Sequence, residues 1–356
     1  MAGPFDHFAL PWGGPENEAA RLVTEPAPAE PELPPVKAAN PCFAAGTRIL
    51  TERGDTPVED LAPGDFAVTA ENELAKVIWI GRRDVDLAKH PAPGQIRPVR
   101  VAAGALAMGV PERELVLSPD HALYFDGSLV QVRDLIDGIA IRQDFEVAAV
   151  RYYHVELERH AVLLAEGAGA ESFLDSGQRA VFSSASARPE GAGRRAAESV
   201  APLVTGGEQL AAIRARLHAR KLMLGIFVAE APYFALKFLS GELLFPAENV
   251  PGRVSFALPA GVSEAVFCSP VFIPAELDPA SMDRRRVGAA IADVFVDGRL
   301  TALERVFVAA DLHRRAPRET ATWTRGAARL KIPAGATSIS FHIAAPPRYW
   351  RRGSGV

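Results

Sequence analysis

Seven residues of this chain are followed, at an offset of 74 residues, by a second version of themselves. Val58-Glu59-Asp60-Leu61-Ala62-Pro63-Gly64 and Val132-Arg133-Asp134-Leu135-Ile136-Asp137-Gly138 share the pattern V-x-D-L-x-x-G, with four identities in seven. Each copy follows a β-prone run, "TRILT" at 47–51 and "HALYF" at 121–125, and a glycine turn at Gly54 and Gly127. Motif, strand and turn recurring at one offset mark a duplicated supersecondary unit. Two such copies in one small β region predict a pseudo-two-fold fold.

The rest of the chain organises around that region. Residues 1–40 hold eight prolines and the run "TEPAPAEPELPP", which cannot bury a core and reads as an extended or disordered leader. From 41 to 182 short β segments alternate with turns, and the Asp126–Gly127 pair between "HALYF" and "SLVQV" is a hairpin signal. Residues 183–206 read as a linker. Residues 207–356 read as a C-terminal β-rich domain of unknown role. It opens with one helix, "GEQLAAIRARLHARK", and continues as short strands at regular spacing, sandwich-like, with an Asp297–Gly298 turn. The expected fold class is all-β throughout.

Composition narrows the function. The 356 residues suffice for two domains, and a net charge of −4 offers no nucleic-acid footprint. No apolar run reaches the ~18 residues of a membrane span, and no basic-then-apolar secretory signal is visible. Two cysteines make no disulfide framework, so a reducing, cytoplasmic compartment is the default expectation, with non-classical secretion left open.

One of those cysteines, Cys42, lies just before the first strand of copy one, directly after Pro41. Ser118 and His121 lie at the start of the first strand of copy two. Corresponding ends of related units can meet near a pseudo-symmetry axis, so the three residues are able to share a site. A thiol there has the Pro41 carbonyl carbon as its nearest electrophile. Attack and expulsion of the Cys42 amide nitrogen would give a thioester, provided a group such as His121 protonates the nitrogen and Ser118 orients the peptide. Singly, each residue has a plainer reading: a semi-buried small residue, turn chemistry before Pro119, an edge histidine.

The residues also match a known family. "CFAAGTRILTERGDTPVEDLAPGD", "ELVLSPDHALYF" and "YYHVELERHAVLLAEG" resemble, in order, the first, second and late blocks of Hint domains, the hedgehog/intein superfamily of autoprocessing modules. The ending "ELERHAVLLAEGAGAESFLD" is most similar to a bacterial Hint subfamily. The resemblance covers about residues 41–182. It implies a flat all-β horseshoe with internal two-fold symmetry, Cys42 as nucleophile, and Ser118 and His121 as activators of the Pro41–Cys42 bond. His160 matches the late-block histidine, and Glu158 stands where inteins often have an acid. No metal or organic cofactor is implied. The substrate would be the chain's own N-terminal segment, with water, a thiol or another small nucleophile as acceptor, in a single-turnover self-cleavage. Ser118 replaces the usual threonine and keeps the hydroxyl. No asparagine occurs between Asn72 and Asn249, so downstream cleavage by asparagine cyclisation is not expected, and Pro41 crowds the acyl carbon.

Two other readings compete. His154, Glu156, Glu158 and His160 alternate along one expected strand, which raises a metal site. His154 and His160 would lie roughly 20 Å apart at about 3.3 Å per residue, so a solvated polar face is the expectation. The alternative for the whole chain is an inert Hint-like scaffold carrying a C-terminal carbohydrate- or protein-binding module, with Trp323 and Trp350 as stacking candidates. Both tryptophans are more simply core residues, as is Cys268, and Asp283–Arg286 is more simply a solvated turn.

Overall fold

The computed structural model describes residues 22, 24, 41–174, 183–184, 199–314 and 319–352. The leader and most of the expected linker fall outside these residues. The described chain forms two compact units that divide between Leu224 and Gly225.

The first unit is a single sheet path of short antiparallel strands: β1 (Phe43–Ala44), β2 (Arg48–Thr51), β3 (Gly54–Pro57), β4 (Phe66–Val68), β5 (Leu74–Asp86), β6 (Val99–Val101), β7 (Leu115–Leu117), β8 (Ala122–Phe125), β9 (Ser128–Gln131), β10 (Ile141–Gln143), β11 (Ala149–Leu157), β12 (Val162–Ala165) and β13 (Ala168–Glu171). The duplication read from the motif is in the backbone. β2, β3 and the 3₁₀ turn Val58–Asp60 recur 74 residues later as β8, β9 and the 3₁₀ turn Val132–Leu135. The first valine and the leucine of each motif, Val58 and Leu61, Val132 and Leu135, are buried. Burial accounts for the recurrence of those two positions. The Asp126–Gly127 turn has φ of 45° and 87°, the left-handed pair that a two-residue hairpin needs.

β5 and β11 join the two halves by pairing along nearly the whole of β11, from Ala149 opposite Asp86 to Leu157 opposite Val77. A bulge between Glu156 and Leu157 ends the run. Odd residues of β11 (Tyr153, Val155, Leu157) enter the main core with Leu117, Leu123 and Val130. Even residues face a second apolar cluster of Cys42, Trp79, Tyr152 and Phe173. Both faces of this strand are therefore covered.

Helix α1 (Gly207–Met223) corrects the expected boundary at 207: it belongs to the first unit, not to the C-terminal domain. Leu210, Ile213 and Leu217 form one apolar stripe and lie in the main core of the first unit. Polar clamps fix the register: Gln209 Nε2 to Ser128 Oγ at 2.5 Å, Arg216 to Asp126, and Arg220 Nε to the Gly104 carbonyl at 3.0 Å. At the last turn Lys221 Nζ meets Asp137 Oδ2 at 2.7 Å, with both side chains buried. Asp137 Oδ1 also accepts the backbone N–H groups of Ile139, Ala140 and Ile141.

The second unit is a sandwich. One sheet runs Leu243–Leu244, Ala235–Lys237, Glu264–Cys268, Ala327–Lys331. The other runs Glu248–Val250, Arg253–Ala257, Ser338–Ala345, Ala290–Val296, Arg299–Thr301. Phe267 of the first meets Phe341 of the second with ring centroids 4.7 Å apart, so the two inner faces share a core. Cys268 is buried, while Trp323 and Trp350 pack half-buried with Phe272, Leu277 and Val287. Among the described residues no helix is long and apolar enough to cross a membrane.

The buried Lys221–Asp137 pair sets a stability prediction. Lys221→Met should lower the unfolding free energy of the first unit by about 3 kcal/mol, because it leaves a buried carboxylate without its cation. Arg216→Met at the exposed pair should cost under about 1 kcal/mol. Urea unfolding of the full chain measures both, and equal effects would overturn this account.

Candidate functional site

The strands that precede the two copies, β1 and β7, meet beside Cys42. β1 pairs with β7 on one side and with β11 on the other, so the residue before β1 is held between two strands of the later half. The Cys42 amide N–H donates to Ser118 Oγ at 2.8 Å, and the Ser118 N–H donates back to the Cys42 carbonyl at 2.9 Å. The peptide that follows Pro41 is thus gripped at its nitrogen by the hydroxyl.

The sulfur meets a histidine that the sequence analysis had not placed at the cysteine. Cys42 Sγ lies 2.9 Å from Nε2 of His154, on β11. His154 is buried and packs edge-on against Phe173, with centroids 4.9 Å apart. The expected polar face of His154, Glu156, Glu158 and His160 does not exist. His154 and Glu156 are buried, the strand ends at Leu157, and Glu158 lies exposed in the following turn beside the Lys76 backbone. The structure brings Glu158 into no contact with Cys42. Among the described residues no group of three or more metal-ligating side chains assembles.

His121 stands on the backbone side of the cysteine. Its ring lies 4.2 Å from that of Phe43, and Nε2 is 3.2 Å from the Glu171 carbonyl. A carbonyl only accepts, so Nε2 carries the proton and Nδ1 is left with a lone pair. That Nδ1 is buried and makes no hydrogen bond among the described residues. The Cys42 backbone is close enough to push the His121 pKa up slightly against the larger effect of burial.

His160 is placed by the β11–β12 turn. Its Nε2 is 3.0 Å from the Ser172 carbonyl, and its Nδ1 accepts the Val200 N–H at 3.0 Å. Both ring nitrogens are occupied, so His160 is a brace rather than a proton donor to Cys42. Glu171 lies between the two imidazoles. Its carbonyl holds His121, Oε1 accepts the Ala122 N–H at 2.9 Å, and Oε2 is 4.0 Å from His160 Nε2.

Burial governs the electrostatics of the site. It pushes the Cys42 thiol well above its ordinary range, with a hydrogen bond from Ser118 and the charge of Arg83 opposing. It drives His121 down to about 4 and His154 well below 6.5, the latter helped by the neighbouring His121 and Arg83. It raises Glu171 to about 7. The resting site is therefore a neutral thiol between neutral imidazoles.

Sequence reasoning missed His154 and Glu171 as members of this cluster. The signal for His154 was its place on a strand paired with β1, which only the register reveals.

The Hint domain family model matches residues 41–177, the region that contains Cys42, Ser118, His121, His154 and Glu171. No curated protein matches the chain. Similar solved structures include the bacterial intein-like domain from Clostridium thermocellum, 16% identical, covering 37% of this chain and 98% of that one at a TM-score of 0.28. A DnaB intein from Synechocystis sp. PCC 6803 is 10% identical over 38% of this chain and 99% of its own, at 0.27. The MchDnaB-1 intein is 16% identical over 37% and 99%, also at 0.27. The matched region is built of β-strands and short turns. Residues 41–177 of the chain form a Hint domain.

Glu171 generates a pH prediction. Its folded pKa of about 7 lies above the ordinary 4.5, so the folded state keeps a proton that the unfolded chain releases. Stability from this group is present below the ordinary value and is lost as pH rises toward 7. Glu171→Gln keeps the acceptor for Ala122 and removes that loss. Between about pH 5 and about pH 8 the variant should gain on the wild type by about 3 kcal/mol in urea unfolding. A constant difference across that range would refute the assignment.

Proposed function

We propose that the first unit cuts the chain at Pro41–Cys42 by an N–S acyl shift, without splicing. The supporting observation is that Cys42 has separate partners for its two reacting atoms: His154 Nε2 at 2.9 Å from the sulfur, and Ser118 Oγ at 2.8 Å from the amide nitrogen. A Hint fold suggests autoprocessing in general. These contacts favour the particular bond.

In this reading His154 Nε2 takes the thiol proton as Sγ bonds to the Pro41 carbonyl carbon, and the carbonyl electrons move to oxygen. Collapse of the tetrahedral species breaks the C–N bond as protonated His121 gives its Nδ1 proton to the departing nitrogen, and His154 releases the thiol proton to solvent, so one proton has passed net from sulfur to nitrogen. The products are a Pro41 thioester and a free Cys42 α-amine. Water or an added thiol then attacks the thioester and regenerates the Cys42 thiol. Hydrolysis would release residues 1–41 and leave 315 of the 356 residues. With no asparagine between Asn72 and Asn249, the reaction stops at the upstream bond.

The burial that raises the thiol pKa also supports a second reading, an inert scaffold carrying the C-terminal sandwich as a binding module. Intact-mass analysis separates the two. Dithiothreitol should release the leader from wild type and leave Cys42→Ala whole. If both stay whole over days, the scaffold reading stands.

The rate should carry the signature of His121. If Nδ1 delivers the proton to the departing nitrogen, that nitrogen must first be protonated, and its pKa of about 4 makes this rare near neutrality. Leader release should rise roughly tenfold per pH unit as pH falls from about 8 to about 5. A rate that climbs with pH would make thiolate formation limiting and remove His121 from the proton-donor role.

A further inference from the structure

The residues that hold His121 and His154 in place are few and contiguous. Glu171 gives its carbonyl to His121 Nε2, and Phe173 packs its ring on His154 and donates its N–H to the Val155 carbonyl at 2.7 Å. Ser172 lies between them. Its hydroxyl accepts the Ala161 N–H at 3.0 Å, its N–H donates to the Ala161 carbonyl at 2.9 Å, and its carbonyl accepts from His160. The tripeptide 171–173 is thus the common support of both imidazoles, and His160 is a clamp on its centre.

His160 is held in turn by a segment beyond the matched 41–177 region. Val200 donates its N–H to His160 Nδ1, which fixes the tautomer whose Nε2–H can reach Ser172. The chain then runs onto β9. The Leu129 N–H donates to Pro202 and the Val204 N–H donates to Leu129, and Leu203 and Leu129 form a parallel bridge. Val204 enters the main core, and α1 follows, locked by the Lys221–Asp137 pair. A free 200–204 peptide would carry no order of its own. Anchored at both ends, it is a strap that terminates on His160.

We infer that residues 199–224 are a positioning element of the processing site, acting through the Val200 backbone N–H on His160 and from there through 171–173 on His121 and His154. The strap touches neither the sulfur nor the scissile peptide. It selects the His160 tautomer, and that choice keeps the Glu171 carbonyl where His121 Nε2 needs it. With Nδ1 protonated instead, His160 would present a lone pair to the Ser172 carbonyl, two acceptors facing each other. The Hint unit of this chain is complete only with the downstream segment, so its chemistry is tied to sequence lying between it and the C-terminal sandwich.

The inference rests on the processing reading for its rate readout alone. Val200→Pro in the full chain deletes the N–H, while Val200→Ala keeps it. Long-range ¹H–¹⁵N spectra of the imidazoles read the tautomers directly, whether or not the chain processes itself. Val200→Pro should move His160 away from the pure Nε2–H form and shift the His121 resonances with it. Thiol-driven leader release should slow about tenfold, the rate equivalent of one lost hydrogen bond. Val200→Ala should restore both. Unchanged His121 resonances in a folded Val200→Pro protein, or equal shifts in the alanine variant, would overturn the inference. A failure of wild type to process would count against the cleavage reading and leave the tautomer result to decide this one. Should Val200→Pro not fold, amide exchange of wild type decides. The Val200 N–H should be protected despite its exposed side chain, and exchange at the free-peptide rate would show that the strap is not docked.

Discussion

The pairing of β5 with β11 is the constraint on which the first unit depends. These strands carry the longest continuous register in the fold, and in the sheet order they stand between β1 on one side and β4 on the other. β1 then adds to the far edge of β11 and to β7 of the second half. A residue just before β1 has no other place to go than the seam. Cys42 is therefore positioned by sheet pairing over residues distant in sequence, and the partners of its sulfur and its nitrogen come from different strands: His154 on β11 and Ser118 after β7. Loss of register by one residue on β11 would turn His154 into the main core and present Tyr153 or Val155 to the sulfur.

How much of this was legible in the sequence follows from what repeats and what does not. The motif offset of 74 residues translated directly into β2/β8, β3/β9 and two 3₁₀ turns, because local strand and turn chemistry is written in neighbouring residues. The meeting of Cys42 with Ser118 followed from that symmetry. His154 was assigned to a solvated face because alternation alone cannot say whether a strand has one covered face or two, and β11 has two. The helix was given to the wrong unit for a related reason. Its apolar stripe at Leu210, Ile213 and Leu217 states that it packs, and only the buried Lys221–Asp137 pair and the shared core state against what. Glu158 and His160 lay in a turn that a bulge creates, and nothing in the residue types announces that bulge.

The electrostatics of the seam look hostile to catalysis until the proton count is followed. An N–S acyl shift moves one proton, net, from sulfur to nitrogen and creates no net charge. A buried site penalises any charged thiolate or imidazolium, which is the meaning of a raised thiol and depressed imidazoles. It penalises least a proton transfer that is concerted with bond formation between groups already in contact, so that no free thiolate builds up, and the sulfur and the imidazole of His154 are so arranged. In the proposed reaction the same burial that makes Cys42 a poor free nucleophile would slow the access of water to a thioester formed there. Slow attack and slow hydrolysis would then be two consequences of one desolvated seam. A chain whose acyl residue is a crowded proline would in consequence hold its leader until a nucleophile able to enter that seam arrives.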